Sequence, residues 1–202
     1  PLLTMDSVMG RSMPRYREWL LNPPNREYWQ RIQYSAEDFA KVDLPVMHVT
    51  GWFDYDQPGA MYYWRGMAAG SPARDRQYLV AGPWTHPQTF LGGSTRVGQM
   101  ELPASSILNM RAIHLAFFEH YLKGTAPRFD LPRARLFFTG SDAWRDFEAY
   151  PPPRMVDRRL YLRSGGRANS LVGDGALSWE QPGDEPADRF TYDPQQPAPS
   201  DG

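Results

Sequence analysis

Between Val46 and His86 the spacing of apolar positions changes twice. Val46, Met47, Val49 and Trp52 form one short apolar run, and Tyr78, Leu79, Val80 and Ala81 form another, each bounded by Gly or Pro. Runs of this length and punctuation suit strands buried on both faces, as in a parallel sheet. Between them Ala60, Met61, Tyr63, Trp64, Met67 and Ala68 recur at helical spacing until Gly70 and Pro72 stop the run. The pattern predicts a strand–helix–strand unit, with Asp54 in the turn after the first strand and His86 in the turn after the second.

Upstream, Met13, Tyr16, Trp19 and Leu20 share a helical face with Pro14 near its start. Pro23 and Pro24 end that helix, and Tyr28, Trp29 and Ile32 predict another short one. Downstream, 90–103 reads as a surface loop. The following segment, 104–123, reads as one long helix whose aromatic stripe packs on the sheet, stopped at Lys123 and Gly124. After Thr125 the period changes. Segments 134–139, 158–163 and 189–192 read as short strands separated by Gly- and Pro-rich turns, the spacing of an antiparallel sandwich or jelly roll. Tyr150 to Pro153 is a stiff bend, because consecutive prolines fix an extended backbone. A domain boundary is placed within 124–131.

Composition narrows the possibilities modestly. With 41% apolar and 22% charged residues over 202 positions, a sizeable core is affordable. The 17 Gly and 20 Pro imply extensive loops but stay below the ~25–30% typical of low complexity. A net charge of −1 and no basic stripe give no electrostatic case for nucleic acid. No apolar run approaches the ~18 residues of a membrane span. The absence of cysteine removes thiol nucleophiles, disulfides and thiolate metal sites. Localisation is unreadable, and a first residue that is Pro rather than Met leaves open a segment before it.

In open α/β sheets chemistry collects at the carboxyl ends of strands, so Asp54 and His86 are expected at one sheet edge. An acid that orients an imidazole is two-thirds of a Ser-His-Asp triad, and α/β-hydrolases supply Ser, then the acid, then His along the chain. Imidazole suits the base because it takes and returns protons near neutral pH. By spacing alone Asp56 would serve as the acid as well as Asp54. No serine completes G-x-S-x-G: Ser12 in GRSMP comes nearest, and Pro14 breaks the pattern. The nucleophile and its oxyanion hole are therefore expected upstream of these residues. His48 reads as a core residue of the first strand. His114 and His120 lack the i, i+4 spacing of a helical zinc pair, so neither a metal nor another cofactor is expected.

LPVMHVTGWFD followed by LVAGPWTH resembles the CocE/NonD hydrolases, the group of cocaine esterase, the α-amino-acid ester hydrolases and the S15 Xaa-Pro dipeptidyl-peptidases. FFEHYLKG, GSDAWRDFEAYPPP and RRLYLRSGGRANS look like further landmarks of that family. The resemblance implies an α/β fold: the C-terminal part of an α/β-hydrolase domain followed by the start of a β jelly roll. It divides the chain into the end of a helical cap (1–36), hydrolase domain (37–126) and partial jelly roll (127–202). It selects Asp54 over Asp56 as triad acid and assigns His86 as base. Asp56 and Trp52 become substrate-binding candidates. In the α-amino-acid ester hydrolases two neighbouring carboxylates after the triad acid receive the substrate's amino group. Asp56 matches the first, whereas Gln57 stands where the second would be, which weakens the case for amino-ester specificity.

The expectation is a segment of a serine-type acyl hydrolase for small-molecule ester or Xaa-Pro peptide substrates, inactive without its serine. It is expected to need no nucleic acid or membrane, and a homo-oligomer of the full-length protein is left open. The competing readings are a non-catalytic carbohydrate- or peptide-binding module, a degenerate hydrolase relative, and a structural oligomerisation fragment. A binding module has no need for Asp54 within hydrogen-bond reach of a His86 nitrogen, and an oligomerisation fragment is distinguished by its mass in solution.

Overall fold

The computed structural model describes residues 2–23, 25–170 and 172–196. The chain divides into two compact units, one of Pro1–Pro45 with Tyr62–Gln77 and the other of Val46–Met61 with Tyr78–Gly202.

The first unit carries the short helices α1 (Leu2–Met9), α2 (Pro14–Leu21), α3 (Arg26–Gln30) and α4 (Ala36–Phe39). Helix α2 begins at Pro14, as the sequence predicts, because a first-turn proline leaves no N–H unsatisfied. Asn25 caps α3 by accepting the Tyr28 N–H at 3.1 Å. Ser35 and Asp38 cap α4 reciprocally. Helix α5 (Gln57–Gly70) contributes its residues from Tyr62 onward. There the buried Phe39 ring lies 5.7 Å from the rings of both Tyr62 and Tyr63. Gly66 permits this approach, since a Cβ on it would come within 2.2 Å of the Phe39 ring.

The second unit is built on a four-stranded mixed sheet in the order β1 (Val46–Gly51), β2 (Gln77–Gly82), β5 (Ala134–Phe138), β6 (Ala143–Phe147). Strand β5 runs parallel to β2, pairing Leu79 with Ala134, and β6 returns antiparallel, pairing Phe137 with Trp144. Every residue of β2 is buried, as its unbroken apolar run predicts. By contrast, Val46, Met47 and Val49 of β1 are half-buried, because β1 is the edge of the described sheet. The sheet continues across 124–131, where the sequence suggests a change of domain: 134–138 is a strand, as predicted, and it lies beside β2.

Three elements join β2 to β5: α6 (His86–Leu91), a hairpin of β3 (Arg96–Val97) and β4 (Met100–Glu101), and α7 (Met110–Tyr121). The predicted loop 90–103 thus holds the end of a helix and a hairpin. The predicted helix 104–123 is shorter than its apolar spacing suggests. Ala104–Ser106 is a separate 3-10 turn, and Asn109 starts α7 by accepting the Ala112 N–H at 3.0 Å. From α7, Met110 and Phe117 join Tyr78, Val80, Trp84 and Leu131 in one core cluster. Burying a side chain of this size contributes about 1.5–3 kcal/mol. Leu115 and Phe118 of the same helix, and Leu122 at its C-terminal cap, are exposed.

After the bend at Tyr150–Pro153, β7 (Tyr161–Arg163) and β8 (Ala176–Ser178) form a two-stranded antiparallel pair. The predicted strand 189–192 does not form. Phe190 and Tyr192 are exposed, and among the described residues no strand lies beside them to complete a ladder.

Candidate active site

Strand β1 ends at Gly51 and β2 at Gly82, and backbone hydrogen bonds tie the turns that follow them. Trp52 N–H donates to Gly82 O at 2.9 Å and Phe53 N–H to Trp84 O at 3.1 Å. The fully buried Trp84 explains both glycines. A Cβ on Gly51 would stand 1.9 Å from the Trp84 carbonyl oxygen, and one on Gly82 would stand 2.3 Å from its indole. No side chain fits in either place. The G-W-F-D and G-P-W-T-H motifs are therefore one packing unit: each glycine makes room for the tryptophan that locks the two turns together.

The lock sets the position of two side chains. Asp54 N–H donates to Gly51 O at 3.2 Å, which folds the first turn back and buries the carboxylate. His86 opens α6, rather than standing in a turn as the sequence suggests. Thr85 precedes that helix, its N–H bonded to Gln88 Oε1 at 2.9 Å, and the Thr89 hydroxyl donates to the His86 carbonyl at 2.7 Å. The outcome is a contact of 3.1 Å between His86 Nδ1 and Asp54 Oδ1. The Asp54 side chain is 4% exposed and that of His86 35%. The acid is thus shielded while the imidazole remains accessible.

Asp56 reaches the same nitrogen. Its Oδ2 lies 3.4 Å from His86 Nδ1, its side chain is 61% exposed, and its N–H donates to Asp54 Oδ1 at 2.9 Å. The structure therefore brings three of the four candidate residues together. The fourth, Trp52, is turned toward β5: its indole N–H donates to Phe137 O at 2.7 Å. It borders an aromatic-walled cavity of about 540 Å³ with Phe138, Arg145, Phe147 and Tyr150.

Two contacts escape sequence reasoning. The Tyr55 ring stacks on the imidazole at 5.3 Å, and the Phe90 ring meets its edge at 5.7 Å. The signal for Phe90 was present in T-H-P-Q, a capping pattern with an early proline that starts a helix at His86 and puts Phe90 one turn on. Nothing in the sequence marks Tyr55.

The donor atoms of Asp54, Asp56 and His86 lie within 4.8 Å of one another. That spacing could share either a proton or a cation among the three side chains. Of the other histidines, His48 is buried in β1, and His120 Nδ1 lies 2.8 Å from the Ala126 carbonyl oxygen.

The profile of the X-Pro dipeptidyl-peptidases (S15 family) matches residues 4–88, a span that includes both turns. Cocaine esterase from Rhodococcus sp. (strain MB1 Bresler) is 32% identical over 99% of this chain and 34% of its own length. Among solved structures, an aminopeptidase from a marine sediment Thaumarchaeota archaeon superposes with a TM-score of 0.66 at 25% identity, over 88% of this chain and 28% of its own. A selenomethionine-labelled α-amino acid ester hydrolase does so with a TM-score of 0.60 at 26% identity, over 87% and 28%. The chain thus spans about a third of the length of the relatives it matches, and all three are hydrolases by name. These likenesses, together with the two motif-bearing turns, support the CocE/NonD hydrolase family for this chain, the group of the S15 X-Pro dipeptidyl-peptidases, cocaine esterase and the α-amino-acid ester hydrolases.

Proposed function

We propose that this chain carries the acid and the base of a Ser-His-Asp acyl hydrolase acting on an ester or an X-Pro peptide bond. The observation that carries the reading is the 3.1 Å contact between Asp54 Oδ1 and His86 Nδ1 at the ends of neighbouring strands. With Nδ1 engaged by the acid, Nε2 is the nitrogen that meets a nucleophile. A serine hydroxyl from a segment preceding these residues attacks the acyl carbonyl and gives its proton to Nε2. The imidazolium returns that proton to the leaving alcohol or amine, and a water molecule releases the acyl group by the same route. Asp54 keeps the ring in the required tautomer and stabilises its charged form. In this reading 1–36 ends a helical cap, 37–126 completes the hydrolase domain, and 127–202 leads into a jelly roll of which β7 and β8 are an early hairpin.

Fluorophosphonate labelling with peptide mapping tests the reading, applied to this chain and to the longest native form of the protein. Label on a serine upstream of these residues in the longer form, and none here, is the expected result. Label within these residues would put the nucleophile here, with Ser12 the first suspect. No label on either would favour a non-catalytic binding module.

A further inference from the structure

One imidazole nitrogen faces two carboxylates. His86 Nδ1 lies 3.1 Å from Asp54 Oδ1 and 3.4 Å from Asp56 Oδ2, although a triad requires a single acid. The two acids differ in surroundings. Asp54 is shielded from solvent, so its charge acts on the ring with little screening, whereas Asp56 is 61% exposed and its charge is weakened by water and salt. They are also mechanically joined, since the Asp56 N–H bonds to Asp54 Oδ1 at 2.9 Å and Tyr55 between them stacks on the imidazole. A movement of the ring relative to this turn therefore disturbs both contacts.

We propose that Asp56 is a second positioning acid for His86, holding the Nδ1 proton and the ring orientation alongside Asp54 and replacing Asp54 when its charge is lost. The inference rests on the hydrolase reading above. Amide substitution of a lone triad acid is damaging because the amide N–H₂ turns the imidazole into the wrong tautomer, at a cost of about 10⁴ in kcat. Here a carboxylate remains beside Nδ1 after Asp54→Asn and keeps the proton on that nitrogen. Asp56 is thus a positioning residue that acts through His86, distinct from a carboxylate that receives a substrate amine.

The test is a double-mutant cycle in the complete enzyme, with kcat and KM measured separately on a neutral aryl ester and on an ester bearing an α-amine. Asp56→Asn alone is expected to lower kcat only a few-fold, about 2–5. Asp54→Asn is expected to lower it about 10²-fold, short of the ~10⁴ of a lone acid. Adding Asp56→Asn to Asp54→Asn is expected to cost about a further 10²-fold, far beyond its cost alone, with KM little changed for either ester. Asp56→Glu in the Asp54→Asn background restores a carboxylate and is expected to stay within about tenfold of Asp54→Asn. Equal costs of Asp56→Asn in both backgrounds overturn the proposal, as does a rise in KM confined to the amine ester. A loss with Asp56→Glu as large as that with Asp56→Asn overturns it too. Failure of the hydrolase reading itself looks different: His86→Ala would then leave turnover intact and no serine would label.

Discussion

Asp54 and Glu185 use a carboxylate in the same way and to different ends. Asp54 Oδ1 accepts the Asp56 N–H at 2.9 Å, and Glu185 Oε2 accepts the Ser164 N–H at 3.1 Å. Each also meets a cationic or potentially cationic neighbour, His86 for Asp54 and Arg163 for Glu185. Arginine keeps its protons at any ordinary pH, while imidazole exchanges one near neutrality. The first pair is therefore equipped for proton transfer and the second only for holding a loop. Asp174 and Asp188 extend the holding role: Asp174 Oδ1 accepts the Gly165 and Arg167 N–H groups at 3.2 Å each, and Asp188 Oδ1 accepts the Ala168 N–H at 2.8 Å. Around β7 and β8 the apolar residues Leu162, Val172 and Leu177 are exposed, so carboxylates organise backbone that no core supports. At the turns that carry Asp54 and His86 the support comes from Trp84 and two glycines, which leaves the carboxylate free to meet an imidazole.

The contrast is sharpest in turnover. On the proposed hydrolase reading, His86→Ala in the full-length protein is expected to lower kcat by about 10⁶ while changing stability by less than about 1 kcal/mol, because the ring is partly exposed. Steady-state kinetics and a urea melt on the same preparation check both halves. A large loss of stability would make His86 a packing residue.

Gly51→Ala should affect structure and activity together. Its Cβ would overlap the Trp84 carbonyl oxygen at 1.9 Å, so the lock between the turns must open, at an expected cost of about 3 kcal/mol in a urea melt. Turnover should fall in parallel as Asp54 and His86 separate.

The carboxylate-held loop should respond to acid. The Ser164 N–H, and after it the Arg163 guanidinium, hold the Glu185 carboxyl below the ordinary carboxylate range. A depressed folded-state value means the stabilisation is complete above the unfolded value of about 4.3 and is lost as pH falls through the folded one. Hydrogen-exchange protection at Ser164 and along β7 and β8 is expected to fall below about pH 4, and Glu185→Gln should remove most of that pH dependence. Unchanged protection down to pH 2 would mean that the clamp does not hold the loop.

The smallest effect is expected on the sheet between these two regions. Arg135 grips Asp146 with two contacts of 2.8 Å across β5 and β6. That bidentate contact raises the arginine's affinity for its proton and lowers the aspartate's. Both groups are partly solvated, so a double-mutant cycle should return a coupling of about 0.5–1 kcal/mol that weakens with added salt. A much larger coupling would show a pair shielded from water.

The elements most legible in the sequence were those whose burial is decided by local pattern. Strands β1 and β2, helix α5 between them and α2 with its leading proline follow from apolar period and punctuation. The order of Asp54 and His86 after two strands suggested the chemistry proposed above, and their motifs pointed to the family that the comparisons support. The start of α7 at Met110 was less legible, because apolar spacing runs on through 104–109 while a side-chain cap at Asn109 and a separate 3-10 turn decide the boundary. The predicted strand 189–192 failed because β structure requires a partner strand, which no local pattern supplies.

Read alone, then, the chain determined which residues are candidates for chemistry and that they follow two buried strands, since residue type and period are local properties. Tertiary structure decided the rest: that Trp84 occupies the space left by two glycines, that Tyr55 and Phe90 frame the imidazole, and that Asp54 and Asp56 share one nitrogen. Those facts depend on which backbones approach within a few ångströms, and that is set by packing between segments far apart in the chain.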